Sequence, residues 1–470
     1  MSRRRRAKED SFAASRKYDE AMKIQTTRIR AVLTTLQLLA CCMPVTVPAQ
    51  SLLQKMKTQA EQSATRKILN ETDKAVSKGI DQAIGSAGSA VTGASDKDPG
   101  GKAAVSGAIP ADSSVIGAAP AQPVRSYSRY DFIPGEKVLY ASDFSEDPVG
   151  ELPAGWNGNG SSVVVSLEGI SGKWLRMAQR SVCLTDNEQL FGPDFTVEFD
   201  MVLQIDFKGW LPPSFHFGLL ASGADAPAAN RLLSDPKGDK SFYVEIAPLA
   251  GAANMVLESY EKYTRYFNSP VRSYTEAGRW YGKPVHVAIQ GQKERLRIWI
   301  DDEKFYDVPK GIVKNGDFNQ LFFKLGSSPY KDEQIGVYFS NIKVAAGLPD
   351  LRHKLVEEGR FSTTGILFDT GSATIRPESA GVLKSVAAVL KAHPDMKVRI
   401  VGHTDSVGEE KANLELSGRR AAAVRSVLEK EYDLAGTQFE TAGKGEQEPA
   451  ADNSTAEGRA QNRRVEFISY

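Results

Sequence analysis

Between residues 125 and 348, apolar side chains return at every second position. The runs are Phe195, Val197, Phe199, Met201 and Leu203; Phe215, Phe217 and Leu219; Phe242, Val244 and Ile246; Val285, Val287 and Ile289; Leu296, Ile298 and Ile300; and Ile335, Val337 and Phe339. A period of two sends alternate side chains to opposite faces of a strand, so each run predicts a strand with one buried face. Turn formers separate the runs, as at Gly192-Pro193-Asp194 and Asp301-Asp302-Glu303. Many strands with little helix between them bury their apolar faces against one another, which predicts an antiparallel, two-sheet jelly-roll sandwich.

At 470 residues the chain is too long for one ordinary domain, and shifts in composition mark a multidomain protein. From Gly85 to Gln122 the sequence is dominated by Gly, Ala, Ser, Pro and Asp and contains no aromatic residue. Such a stretch cannot bury enough apolar surface to order itself. Ahead of it, Leu52, Leu53, Met56, Ala60, Ala64, Ile68, Leu69, Val76, Ile80 and Ile84 follow helical spacing. The expected organisation is extra N-terminal residues and a signal peptide over 1–49, a helical segment over 50–84 and a disordered linker over 85–124. The sandwich then occupies 125–350 and a C-terminal domain 359–470. The 59 basic and 58 acidic residues nearly cancel, which argues against a nucleic-acid partner.

Ala31 to Ala49 is apolar but contains Pro44 and Pro48, and it falls short of the roughly 20 clean apolar residues of a spanning helix. It reads as an export signal. Met22-Lys23-Ile24 with Arg28 and Arg30 supplies the positive region, and Val47-Pro48-Ala49 the small-residue cleavage site, so Met22 is the expected start. Leu38-Leu39-Ala40-Cys41 offers a competing lipoprotein-box reading, imperfect at Gln37 and Cys42. Cleavage after Ala49 leaves Cys183 alone, as a small buried hydrophobe.

From Gly359 the pattern turns mixed. Ile366-Leu367-Phe368 reads as a strand, Pro377 to His393 as a helix, Val398 to Val401 as a strand and Lys411 to Glu431 as a helix. Phe439 to Ala442 and Arg464 to Ile468 complete a small sheet, giving a β-α-β-α-β unit with a final strand. Gly402-His403-Thr404-Asp405 places an acid on a loop, and Asn413, Leu416 and Arg420 follow an i, i+3, i+7 course on the next helix. An acid and a planar guanidinium so placed suit a small zwitterion, since lysine cannot copy the guanidinium fork. The plainer reading has Asp405 capping the helix and Arg420 in a surface ion pair.

The run Ile366 to Ser372, the Gly402 to Asp405 turn, the Asn413…Leu416-Ser417…Arg420-Ala421 helix and the Gly458 to Arg464 ending together resemble the OmpA-like C-terminal domain. That resemblance implies noncovalent binding of peptidoglycan through the diaminopimelate of its stem peptide. It implies that Asp405 meets the ligand's ammonium and Arg420 its carboxylate, with Thr404 and Asn413 close by. His403, Asn462 and Arg464 are candidates for supporting roles; a structural histidine at a strand end, and arginines that stabilise the fold, are the competing readings. No catalytic residue, metal or cofactor is expected.

In the middle region, Tyr140 to Ser145, Gly155-Trp156-Asn157, Phe195 to Asp200, and His286 to Ile289 with Leu296 to Ile300 resemble a concanavalin-like (laminin-G-like) jelly roll. Glycoside hydrolases of that fold carry alternating acids on one strand. Here Glu198 and Asp200 share a face, but Val202 and Leu203 stand where a third acid belongs. Trp156, Trp210 and Trp280 are candidates for sugar stacking, with core packing the commoner use. The expectation is a non-enzymatic envelope protein on the periplasmic side of the outer membrane of a Gram-negative bacterium. It holds peptidoglycan while the sandwich takes a glycan or protein partner, and its membrane association comes through lipidation or partners. The alternative is a wall-tethered glycoside hydrolase or carbohydrate-binding protein. An ion-motive stator would need an acid within Ala31 to Ala49, where there is none.

Overall fold

The computed structural model describes residues 130–227, 229–314 and 318–470. The expected signal, helical segment and linker lie outside the described residues. Sixteen strands form the sandwich. They are β1 (Lys137–Ser142), β2 (Trp156–Gly158), β3 (Val163–Leu167), β4 (Ile170–Arg176), β5 (Ser181–Thr185), β6 (Asp194–Ile205), β7 (Phe215–Ala221) and β8 (Lys240–Leu249). After these come β9 (Ala252–Glu261), β10 (Thr264–Asn268), β11 (Arg272–Tyr274), β12 (Val285–Gln292), β13 (Arg295–Ile300), β14 (Glu303–Val308), β15 (Gln320–Leu325) and β16 (Ile335–Ala346). A short helix, α1 (Asn230–Ser234), precedes β8.

One sheet runs β14-β13-β12-β6-β16-β4-β3, with β1 also on β16; the other runs β10-β9-β8-β7-β15-β5-β2, with β11 also on β9. Every pairing in both is antiparallel. Their inner faces meet through the alternating residues read from the sequence. Phe199 sits edge-on to Phe217, Phe323 and Phe339. Phe323 and Phe339 stack at 3.8 Å between ring centroids. Offset and edge-on aromatic contacts add to the burial of large apolar surfaces, so this layer contributes to the stability of the sandwich. Trp156 and Trp280 belong to this core and Cys183 is fully buried in it, whereas Trp210 stands 64% exposed.

The C-terminal region carries β17 (Arg360–Thr363), α2 (Ala380–Ala392), β18 (Val398–His403), α3 (Glu410–Lys430), β19 (Phe439–Gly445), α4 (Ala456–Asn462) and β20 (Val465–Ser469). The sheet order is β17-β20-β18-β19, with β18 and β19 parallel and the other pairs antiparallel. Val382, Val386 and Leu390 of α2 and Ala421, Val424 and Leu428 of α3 pack with Ile400 and Phe467 of the sheet.

Two readings of this region need correction. Ile366 to Phe368 is not a sheet strand; the strand lies upstream, at β17. Ser379 explains the difference: its hydroxyl accepts from Leu367 N and donates to Leu367 O, and Arg376 N also reaches that carbonyl. Those backbone groups are satisfied without a neighbouring strand, leaving only a bridge from Phe368 to Ile375. The second correction concerns the final motif. Ala456 to Asn462 forms α4, capped by Thr455, whose side chain accepts from Gly458 N. Arg463 ends that helix, and the final strand starts at Val465, one residue after Arg464.

The sandwich and this region, read as separate domains, are joined by partly buried polar contacts. β1 pairs with β16 alone, and its Val138 and Ala141 amides donate to Gln461 and Glu457 of α4. An edge strand's free amides are thereby satisfied by side chains. Tyr130 and Phe132 pack on Trp299 of the sandwich. A Cβ added at Gly381 of α2 would lie 2.2 Å from Phe132 O, so that helix approaches the segment at glycine distance.

Candidate functional site

β18 ends at His403, and the loop that follows delivers Thr404 and Asp405 before α3 begins. Val407 N donates to Asp405 Oδ1 at 3.2 Å, and Gly408 takes φ +101°, turning the chain into the helix. Asn413, one turn into α3, donates to Asp405 O at 3.3 Å, to Val407 O at 3.2 Å and to Glu446 Oε2 at 2.7 Å. Its amide nitrogen is spent on the loop and on Glu446. Asn413 thus positions Asp405, and it is the loop's own buried anchor.

Arg420 lies two turns further on, half-buried. Its Nε donates to Ser372 O at 3.0 Å and its guanidinium rests 4.8 Å from the Phe368 ring centroid. Neither Nη makes a hydrogen bond among the described residues. Burial holds its pKa below the usual arginine value, and Arg463 and Arg419 push the same way against Asp405. Arginine stays protonated regardless, so these terms describe a cation short of counter-charge.

Asp405 already has a cation. Arg463 Nη1 lies 2.5 Å from Asp405 Oδ2. The sequence reading missed this pairing because it depends on where α4 ends. Phe368 and Ser372 were also missed; both sit in the run quoted for the resemblance, but only the fold brings them beneath Arg420. Beside Asp405, Thr404 Oγ1 is buried without a hydrogen-bond partner among the described residues.

The supporting candidates divide. His403 and Arg464 are buried and surround Glu466. Arg464 Nε donates to Glu466 Oε1 at 2.8 Å, and His403 Nε2 lies 3.7 Å from Glu466 Oε2. Burial opposes ionisation of Glu466, yet His403 and Arg464 together draw its pKa down to about 2. This is a charge network beneath the loop. Asn462 stands elsewhere, clamping residues 450–453 through bonds from Ala450 N and Ala451 N and to Ala451 O and Asn453 Oδ1.

Asp405, Arg420, Thr404 and Asn413 line one cavity of about 600 Å³, along with Phe368, Arg463, His403 and Arg464. The sandwich closes its other side. Glu198, Asp200 and His286 reach its inner end from the outer face of β6 and β12. His286 Nδ1 lies 2.7 Å from Asp200 Oδ1, Lys343 Nζ 2.8 Å from Glu198 Oε2, and Arg376 Nη1 3.3 Å from Asp200 Oδ2. Burial works against the imidazolium, but the two carboxylates outweigh it and raise the His286 pKa to about 9. Burial likewise works against Glu198 and Asp200, whose pKa values nevertheless stay below the ordinary carboxylate range beside Lys343, Arg376 and His286. A general acid needs the opposite shift. Among the described residues no His, Cys, Asp and Glu group is placed to hold a metal, and no helix is long and apolar enough to cross a membrane.

Residues 367–463 match the OmpA family. The chain is 46% identical over 101 residues to Outer membrane porin F of Pseudomonas aeruginosa, covering 22% of this chain and 29% of that protein. It is 46% identical over 102 residues to Probable lipoprotein YiaD of Escherichia coli, covering 22% and 46% respectively. It is 43% identical over 103 residues to Peptidoglycan-binding protein ArfA of Mycobacterium tuberculosis, covering 22% and 31%. The chain thus spans less than half the length of each of these relatives. Its C-terminal region is OmpA-like, and the strands before it form a β-sandwich.

Proposed function

We propose that the protein binds peptidoglycan noncovalently from within the bacterial envelope, gripping the diaminopimelate of a stem peptide between Asp405 and Arg420. The ligand's ammonium meets Asp405 and its carboxylate meets the two unengaged nitrogens of Arg420. Thr404 offers a hydroxyl between them, and Asn413 holds the loop in register. The observation that carries this reading is the shared cavity: a half-buried guanidinium with unspent donors lines the same space as Asp405, and the unpartnered hydroxyl of Thr404 is buried beside that acid. Arg463 already pairs with that carboxylate, so the ligand's ammonium shares Asp405 with it. A relative named as peptidoglycan-binding agrees with the assignment.

The protein works on the periplasmic side of the outer membrane, tying that membrane, or a glycan or protein held by the sandwich, to the wall. Bond cleavage is not part of this function: Glu198 and Asp200 are buried in ion pairs. Co-sedimentation of the full chain with purified sacculi tests the proposal. Asp405→Ala and Arg420→Ala are each expected to release most of the bound protein, and retention equal to wild type in both contradicts the site.

A further inference from the structure

The cavity around Asp405 and Arg420 is not built by the OmpA-like region alone. Ser142, Asp143 and Ser145, on β1 and the loop after it, line the same space, as does Asn341 of β16. We infer that this loop of the sandwich is a wall of the binding site, so that a bound stem peptide touches both halves of the protein; this rests on the reading above.

Three observations carry the inference. The first is size. At about 600 Å³ the cavity falls in the range of roughly 300–1,000 Å³ that encloses a drug-sized ligand, room for a peptide segment beyond one diamino acid. The second is fixity. Gln461 and Glu457 of α4 hold the β1 backbone, Arg376 reaches Asp200, and Arg459 Nη2 lies 2.5 Å from Glu146 Oε1 in the loop itself. The wall therefore sits beside the helix whose end supplies Arg463.

The third is the chemistry of Asp143. Its Oδ1 accepts from Ser145 N at 3.0 Å and Ser145 Oγ at 2.6 Å, while Oδ2 makes no hydrogen bond among the described residues. Burial opposes its charge, but Ser145 and then the guanidinium groups of Arg463 and Arg459 keep its pKa below the ordinary value. When a ligand ammonium takes Asp405, Asp143 is the carboxylate on the facing wall that compensates Arg463.

The test uses the full chain and a soluble stem tetrapeptide containing diaminopimelate, followed by calorimetry at two salt concentrations. Ser145→Trp, at an exposed position, adds bulk to the wall and is expected to weaken binding at least tenfold with the unfolding temperature unchanged. The isosteric Asp143→Asn is expected to weaken it about threefold and to lessen its salt dependence. Wild-type affinity in both variants, with binding lost in Asp405→Ala, overturns the sandwich wall and leaves the primary site standing. Wild-type affinity in Asp405→Ala overturns the primary site and the wall together.

Discussion

Arg420 does two things that a lysine cannot do together. It lies against Phe368 and donates from Nε to Ser372 while its two Nη nitrogens make no hydrogen bond among the described residues. Arg420→Lys should therefore keep the charge yet weaken stem-peptide binding by about tenfold or more, read by calorimetry. At the other end of the cavity, His286 is favoured as imidazolium in the fold. Its contribution to stability is full below its ordinary pKa of 6.5 and is lost as pH rises through about 9. The difference between wild type and His286→Gln in thermal unfolding should shrink across that window, by an amount on the order of 3 kcal/mol. At this scale the sequence was informative about Asp405, Thr404, Asn413 and Arg420, because a loop and the helix it feeds fix their relation locally. How Asn413 works was not legible: its amide bonds the loop carbonyls of Asp405 and Val407 and the distant Glu446. The partner of Asp405 was not legible, since Arg463 arrives from 58 residues away.

Helix α3 rests on its sheet at glycine distance. A Cβ on Gly402 would come within 2.3 Å of Ser417 O, and one on Gly443 within 2.4 Å of Gly418 N. Gly402→Ala should force α3 from β18, cost about 1–3 kcal/mol in urea unfolding and shift Asp405 along with the helix start. Unchanged stability and unchanged ligand affinity would mean the contact is slack. The strands of the sandwich were readable because alternation is a local property: Phe195 to Leu203 lies within β6 and Val285 to Ile289 within β12. The run Ile366 to Phe368 misled for a nonlocal reason. A single hydroxyl from Ser379 met the Leu367 backbone groups that a strand would otherwise have paired. Helix α4 is short and polar, so no apolar periodicity announces it, although Thr455 ahead of Gly458 is a cap signal.

Across the whole molecule, the acids on the outer face of β6 serve as a docking surface. Asp200 accepts from Arg376 of the OmpA-like region, and Glu198 faces Lys343, which also reaches Thr364. From sequence they looked like the remnant of a catalytic strand, since nothing local tells a buried interface acid from an exposed one. Asp200→Ala leaves His286 with Glu198 alone and Arg376 with Glu378 alone in a buried setting, and should cost about 3 kcal/mol. The sandwich and the OmpA-like region should unfold in one transition in wild type, and calorimetry of that variant should separate them. The central claim is that opposite charges on Asp405 and Arg420 hold a zwitterion. Its most direct test is a titration comparing a stem peptide bearing free diaminopimelate with versions acetylated on that amine or amidated on that carboxylate. In wild type each modification should weaken binding at least tenfold, with the acetylation penalty vanishing in Asp405→Ala and the amidation penalty in Arg420→Ala. Equal affinity for all three peptides in wild type would contradict the account.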